Sequence, residues 1–374
     1  MRIPLTSATL VIICSLQAQP GALDPTFGTG GIQVLQPGLE WDAAGGVTTL
    51  SDNSMLICGS SDHGDSSRSL VIHLFNDGSV DLAFGESGYA ITLAGARNAP
   101  GDIVVMPDGG ILIAGQTVLE PGSTNSKPFL AKFLPDGSPD LSFGTNGVVV
   151  PELNGADGYL NAIEVRQDGR FVVCGSIFDA NFALNGLLMG FLENGAPDPS
   201  FSGDGVLVIT DFTGDDGLKD IVELPDGRFQ CVGHAQVSGN WLSLLVRVDS
   251  FGAVDTGFGN DGLLLPDLGA ITHTASGVVA LEDGFLVCGS LQDVPQDQSA
   301  FVAGFHLDGT LVDTYGTGGL ALVAGSAYVG ATSIALDDAG QAVFCGYSGG
   351  FGIQDPTDVL TGRLLQDGDR KSVV

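Results

Sequence analysis

The sequence predicts an all-β disc of six repeated four-stranded antiparallel blades, and three observations carry that expectation. An aromatic residue recurs at Phe27, Phe84, Phe143, Phe201, Phe258 and Tyr315, at spacings of 57, 59, 58, 57 and 57 residues. Asp-Gly and Asn-Gly pairs separate short Val/Ile/Leu/Phe runs, as in hairpins whose turns need positive φ. Glycine makes up 57 of 374 residues, about twice its usual ~7% share, while charged residues fall to 15%. No 3.6-residue apolar period is present, which excludes helical repeats, and the period is too long for the coils of a parallel β-helix.

Each repeat aligns as four strand-like segments. The first follows the aromatic motif (LDPTFGTGG, VDLAFGESG, PDLSFGTNG, PDPSFSGDG, VDTGFGNDG, VDTYGTGG) and starts at Gly31, Gly88, Gly147, Gly205, Gly262 and Gly319, in runs such as GVVVPEL and GVLVITDF. The second lies near Val47, Ile103, Ile163, Ile221, Val278 and Ile334. A tight turn leads to the third: MLICG, ILIAG, FVVCG, FQCVG, FLVCG and AVFCG. The fourth runs through LVIHLFNDGS, FLAKFLPDGS and their equivalents. Four short antiparallel strands repeated at this period are the pattern of a β-propeller blade.

The order of segments predicts how the disc closes. The chain passes through a first-type strand at Gly31 to Leu35 before any complete unit, and Gln366-Asp367-Gly368 stops where the motif would come again. The strand from Gly31 to Leu35 is therefore expected beside Val359 to Leu365, completing the last blade. Residues 1–18 read as a secretory signal peptide: one positive charge, an apolar stretch from Ile3 to Leu16, then small residues with cleavage after Ala18. Residues 19–368 form the propeller. The tail DRKSVV, 369–374, reads as translated sequencing-adapter sequence rather than native protein.

The units PDGGILIAG, FLAKFLPDGSPDLSFGTNG and LDPTFGTGG resemble the bacterial delta-60 repeat family of β-propellers, whose function is unknown. The resemblance covers the mature chain in six copies and implies a secreted or surface-exposed propeller. It brings no catalytic residue with it. Two copies depart from the pattern, at Ser202, where glycine is expected, and at Tyr315, where the loop is one residue shorter.

A net charge of −31 repels phosphate backbones, so nucleic acid is excluded as a partner. No later segment has the length of apolar sequence that a membrane span needs. The expected locations are extracellular, cell-surface or periplasmic, and a monomer is the expected state. Each motif aspartate (Asp24, Asp81, Asp140, Asp198, Asp255, Asp313) is expected to accept N–H groups within its own turn, with the aromatic plugging the gap between blades. Cys58, Cys174, Cys288 and Cys345 share one repeat position and read as small buried side chains, too far apart on neighbouring blades for disulfides. Cys231 is out of phase by one and faces the other side of its strand, where a pairing with Cys174 or Cys288 stays open.

No cofactor is expected. Calcium is the one metal the composition leaves room for, with Asp211, Asp215, Asp216 and Asp220 the densest acidic group, although a calcium loop needs more converging oxygens. The histidines fall at five different repeat positions. The second segments, expected to line the channel, are mostly Val, Ile, Leu and Ala with Glu164, Arg166 and Glu223 as exceptions, fewer acids than a metal-dependent hydrolase would place there. Loops between first and second and between third and fourth segments vary among units and share one face. Binding is expected on that face, from Trp41, Asp42, Arg97, Asn98, Asp157, Tyr159, Asp215, Asp216, His273 and Tyr328, with Phe178, Trp241 and Phe351 farther out. The function read from this is a scaffold that binds a protein or carbohydrate through its variable face. The alternative is a hydrolase or lyase, calcium-assisted, using the channel.

Overall fold

The computed structural model describes residues 24–37, 42–62, 66–210, 212, 214–294, 297–323, 328–349, 357–368 and 370–373. The predicted signal peptide, Trp41, His63, Asp211 and Phe351 lie outside them. Every element among the described residues is a strand, so the all-β expectation holds. The first unit is β1 (Asp42–Thr49), β2 (Met55–Asp62), β3 (Ser67–Leu74) and β4 (Tyr89–Thr92). The second is β5 (Arg97–Val105), β6 (Ile111–Val118), β7 (Ser126–Phe133) and β8 (Val148–Val149). The third is β9 (Gly158–Val165), β10 (Phe171–Phe178), β11 (Leu184–Phe191) and β12 (Val206–Ile209). The fourth is β13 (Asp216–Glu223), β14 (Phe229–Val237), β15 (Asn240–Val248) and β16 (Leu263–Leu264). Then come β17 (Thr272–Leu281), β18 (Gly284–Val294), β19 (Asp297–His306) and β20 (Leu320–Val323), followed by β21 (Tyr328–Leu336), β22 (Ala342–Gly349), β23 (Thr357–Leu364) and β24 (Arg370–Val373).

Each run pairs in chain order as an antiparallel meander. The last two runs join into one eight-stranded sheet through a single parallel bridge, Gln298↔Tyr328. The first strands of successive units, β1, β5, β9, β13, β17 and β21, pack side by side. The fourth strands form the outer edges, and Pro151 and Pro266 lie just beyond the two shortest, where a missing N–H ends pairing.

One irregularity repeats in every unit. The first strand carries a one-residue bulge at Gly45, Gly101, Asn161, Lys219, Ser276 and Thr332. The bulge pushes a carbonyl onto the second strand, where every unit has glycine. At Gly175 an added Cβ would collide with the carbonyl oxygen of Tyr159, and at Gly233 with that of Gly217. The glycine ending each CG or AG segment is thus required by close backbone approach.

The motif ties each unit to the next. Its aspartate accepts N–H groups two residues on, as from Ala83 to Asp81 and from Ser142 to Asp140, both at 3.0 Å. Its aromatic ring rests on the turn glycine of the following unit: Phe84 on Gly137, Phe143 on Gly195, Phe201 on Gly252, Phe258 on Gly309 and Tyr315 on Gly368. These five rings are buried, each contributing about 1.5–3 kcal/mol as apolar surface leaves water. Ser202, the departure from glycine, takes the same left-handed backbone with φ 49°, against 52° at Gly144. Tight turns and motifs share one end of the units, because Lys132 reaches Asp108 of a turn at 2.7 Å and Asp140 of a motif at 3.5 Å.

Five apolar clusters fill the junctions between successive units. A sixth lies on the outer face of the first unit, where Phe27 and Leu35 cover Leu70, Ile72 and Leu74. Neither the closing strand nor the burial of Cys345 is seen here. Residues 33–37 form no strand, and the edge of β23 is paired with β24 instead. Cys345 is exposed, whereas Cys58, Cys174 and Cys288 are buried, because each of those three is covered by a following unit and the face of β22 is not. Cys231 faces the opposite side, as its phase predicts, and shares a cluster with Cys174; all five are free thiols.

Candidate functional site

The inner edge of each sheet decides what chemistry gathers at the axis. A first strand has no partner on its axial side, so its N–H groups there need other acceptors. Carboxylates of the preceding unit supply them. Asp102 accepts from Ile103 and from Ile163 of the next unit, both at 2.8 Å. Asp220 accepts from Ile221 at 2.9 Å and from Val278 of the next unit at 2.8 Å. Glu164 accepts from the backbone of Glu223, and Asn161 donates to the carbonyl of Leu218 at 2.6 Å. The three carboxylate contacts run from one unit to a residue one register step farther along the next, and the Asn161 contact runs one step back.

Asp102 stands close enough to raise the other two. Burial, the larger cause, and the charges of Asp102 and Glu164 push Asp220 up to about 7. Burial, with Glu223 and Asp102 adding repulsion, pushes Glu164 up to about 7. Burial alone pushes Asp102 up to about 6. Lys219, on the bulge beside Asp220, is lowered by the same burial. The inner strands are therefore more acidic than the expectation from sequence, which missed Asp102 and Asn161 there and grouped Asp220 with Asp211, Asp215 and Asp216 as a calcium candidate. The bulge explains this, since one inserted residue shifts the side-chain alternation of everything before it.

A cavity of about 1140 Å³ opens at the tight-turn end of these strands. Its wall carries Glu164, Arg166, Asp168, Glu223, Glu282 and Gln366 above an apolar lining from the first strands. Arg166 stands 3.6 Å from Glu223, donates to the carbonyl of Ser250 at 2.9 Å and lies over the Phe229 ring. Asp168 is held by Arg170 at 2.7 Å, which keeps its carboxyl below the usual range. Burial raises Glu223 despite Arg166.

The residues singled out on the variable face divide into two groups. Asn98, Asp216 and His273 share one register, three residues before the bulge, and all three are buried. Each is bonded to the third strand of the preceding unit. Asn98 meets Ser67 at 2.7 and 2.9 Å, Asp216 accepts from Gly186 at 2.6 Å, and His273 Nδ1 accepts from Ser243 at 3.0 Å. Asp215 accepts from Leu184 at 2.9 Å, and Asp157 pairs with Lys127 at 3.0 Å. Asp42 and Arg97 are exposed, Tyr159 and Tyr328 half-buried, with Lys219 over the Tyr159 ring. Arg97, Asp62, Gln116 and Ser126 line a smaller cavity of about 470 Å³ at that end. Phe178 and Trp241 are half-buried, and Trp241 meets His234 edge-on. Among the described residues no three His, Cys, Asp or Glu converge as a metal site. Nor is any helix among the described residues long and apolar enough to cross a membrane.

Comparison with solved structures gives the fold. The chain is similar to the α-L-arabinanase of Penicillium chrysogenum complexed with arabinobiose, at 15% identity over 84% of this chain and 91% of that one, with a TM-score of 0.50. Lower scores relate it to a glucose dehydrogenase (10% identity, 81% and 94% covered, TM-score 0.44). They also relate it to the Podospora anserina α-L-arabinofuranosidase in complex with cellotriose (11%, 75% and 89%, TM-score 0.32). At such identities the likeness speaks to fold alone. No curated protein matches the chain in sequence. The profile described as a domain of unknown function (DUF5122) beta-propeller matches residues 50–84 and 107–143. These two segments match that β-propeller profile, in agreement with the delta-60 pattern that the motifs resemble.

Proposed function

We propose that the chain is a secreted binding module: a six-bladed disc, closed by residues 31–35 beside β23, that receives a basic segment of a protein partner in its axial cavity. The observation that carries this is the charge of the cavity wall, where Glu164, Asp168, Glu223 and Glu282 outnumber the cations that meet them, Arg166 beside Glu223 and Arg170 on Asp168. Within a chain of net charge −31, such a wall attracts and orients positive ligands. The axial acids are engaged as acceptors for backbone N–H groups between units, which supports binding over turnover. The residues first expected to bind on the variable face are largely committed to junctions, which moves the weight of the reading to the cavity end.

Titration with an oligolysine peptide tests it. Saturable binding that weakens in Glu223→Gln and Glu282→Gln, falls with salt and survives Arg97→Ala supports the reading. Binding lost in Arg97→Ala and untouched at the two glutamates would return the site to the variable face. A hydrolase or lyase is the second reading, favoured by two carboxyls raised by burial at one cavity wall, Glu164 to about 7 and Glu223 beside Arg166, the kind of pair that general acid–base chemistry uses. Turnover of an oligosaccharide with a pH profile that Glu164→Gln abolishes would favour it.

A further inference from the structure

One polar register closes on itself in two units and is left open in two others. It lies two residues before the bulge and directly across on the second strand: Tyr159 with Ser176, Gly217 with His234, Thr274 with Ser290, and Gly330 with Tyr347. In the fifth unit Thr274 and Ser290 share a hydrogen bond at 3.2 Å, and in the sixth the Tyr347 hydroxyl accepts from Gln298 at 2.8 Å. The third and fourth units make no such closure. Ser176 is fully buried and its hydroxyl has no hydrogen-bond partner. No hydrogen bond from the described residues reaches the His234 imidazole.

Both open groups converge on Gly217. A Cβ there would collide with Ser176 Oγ and lie 3.6 Å from His234 Nε2, so glycine is what lets the hydroxyl of one unit approach the ring of the next. Trp241 stands edge-on to His234 with ring centroids 5.1 Å apart. Tyr159, across from Ser176, has the Lys219 ammonium 5.9 Å from its ring centre. Tyr159, Lys219, His234 and Trp241 are all half-buried, so the group is reached from solvent. Burial, helped by the Lys219 charge and opposed by Asp215, pushes His234 down to about 4. At pH 7 its ring is therefore neutral and still offers one N–H.

Lys219 brings a positive charge that nothing in the chain balances. Of the six bulge residues it is the one long, charged side chain. Asp220, next to it in the chain, turns away to the N–H of Val278, and no carboxylate among the described residues pairs with the ammonium. Burial lowers Lys219, and the group that opposes this, the Cys174 thiol, is itself buried and un-ionised. The Tyr159 ring stands at the limit of about 6 Å for a cation over an aromatic face. Cations taken out of water are ordinarily paired. An ammonium beside an unbonded hydroxyl and an unbonded imidazole is a set that an anion completes.

We propose that Tyr159, Ser176, Lys219, His234 and Trp241 form a second binding site, at the junction of the third and fourth units, for a carboxylate carried on a hydroxylated ring, as in a uronic acid. Lys219 pairs with the carboxylate. The His234 ring hydrogen-bonds a ring hydroxyl, and its rotation opens the way to the Ser176 hydroxyl behind it. Tyr159 and Trp241 supply flat faces for the C–H surface of the ring, with a hydroxyl and an indole N–H at their polar ends. This site lies toward the variable end of the strands and turns on a cation, whereas the axial cavity turns on carboxylates, so the two are independent.

Isothermal titration with sodium glucuronate, set against glucose and sodium acetate, tests it. Saturable binding of glucuronate is expected, tighter than either control by about tenfold, the scale of one charge-assisted contact. Lys219→Met is expected to remove that advantage while leaving the melting temperature and the binding of oligolysine unchanged. In the unsubstituted chain glucuronate is expected to protect Lys219 from acetylation, read by peptide mapping, which needs no variant to fold. Glucose binding as tightly as glucuronate would overturn the role of the carboxylate, and acetate doing so would overturn that of the ring. No binding of glucuronate, or binding that neither Lys219→Met weakens nor the acetylation of Lys219 registers, would overturn the site altogether.

Discussion

Replacing Asp220 with asparagine separates the two things this side chain does. In the folded chain, burial and neighbouring acids raise it from an ordinary 3.8 to about 7. In the unfolded chain it ionises near 4. Between those values the native state holds a proton that the unfolded state has lost, so stability from this group is full below pH 4 and drains away as pH rises through 7. Assays from pH 5 to pH 8 avoid the isoelectric region near 4.1. About two pH units of that range lie below the folded value, at about 1.4 kcal/mol each, so the group withdraws about 3 kcal/mol by pH 8. Asparagine carries no charge and escapes the loss, but with one oxygen it cannot serve both Ile221 and Val278, costing about 1 kcal/mol at every pH. Urea unfolding of both proteins should therefore give curves that diverge, with Asp220→Asn gaining about 3 kcal/mol on the unsubstituted chain between pH 5 and pH 8. Parallel curves would refute the argument, because they would mean that Asp220 titrates alike in both states.

Three other outcomes follow from the same geometry. Gly175→Ala places a methyl group against the Tyr159 carbonyl and should cost about 1–3 kcal/mol by differential scanning calorimetry; a neutral result would mean that the bulge is looser than drawn. Phe143→Ala empties the plug between the second and third units and should cost about 3–5 kcal/mol in the same assay, without changing the far-UV spectrum of what stays folded. Millimolar calcium should leave the melting temperature where a chelator leaves it, since Asp215 and Asp216 hold the amides of Leu184 and Gly186 while Asp220 stands at the axis. A rise of several degrees would restore a calcium site to that region.

What the sequence disclosed and what it concealed divide by physical range. The motif was legible because its causes are local: an aspartate two residues from the N–H it accepts, a glycine at positive φ, and a ring set by both. The shared register of Cys58, Cys174 and Cys288 was legible for the same reason, since a period of two fixes the side of a strand. The exposure of Cys345 was not, because it depends on what covers the sheet rather than on the sheet. Asp102 and Asp220 were hidden by the bulge, which shifts alternation and has no composition of its own, its six residues being Gly, Gly, Asn, Lys, Ser and Thr. Asn98, Asp216 and His273 were read as loop ligands because their neighbours vary, yet the third strand of the preceding unit meets each of them. Their variation follows from the junctions. An acid at Asp102 or Asp220 is followed in the next unit by Ala162 or Gly277 at the same register, so the acid reaches the amide beyond a small side chain. Residues that break the repeat can therefore be partners of one another across a junction. A non-repeating residue counts toward ligand binding only once its neighbour unit has been shown not to need it, and in this chain Glu282, on the cavity wall, and Arg97, at the variable end, are the clearest left for that role.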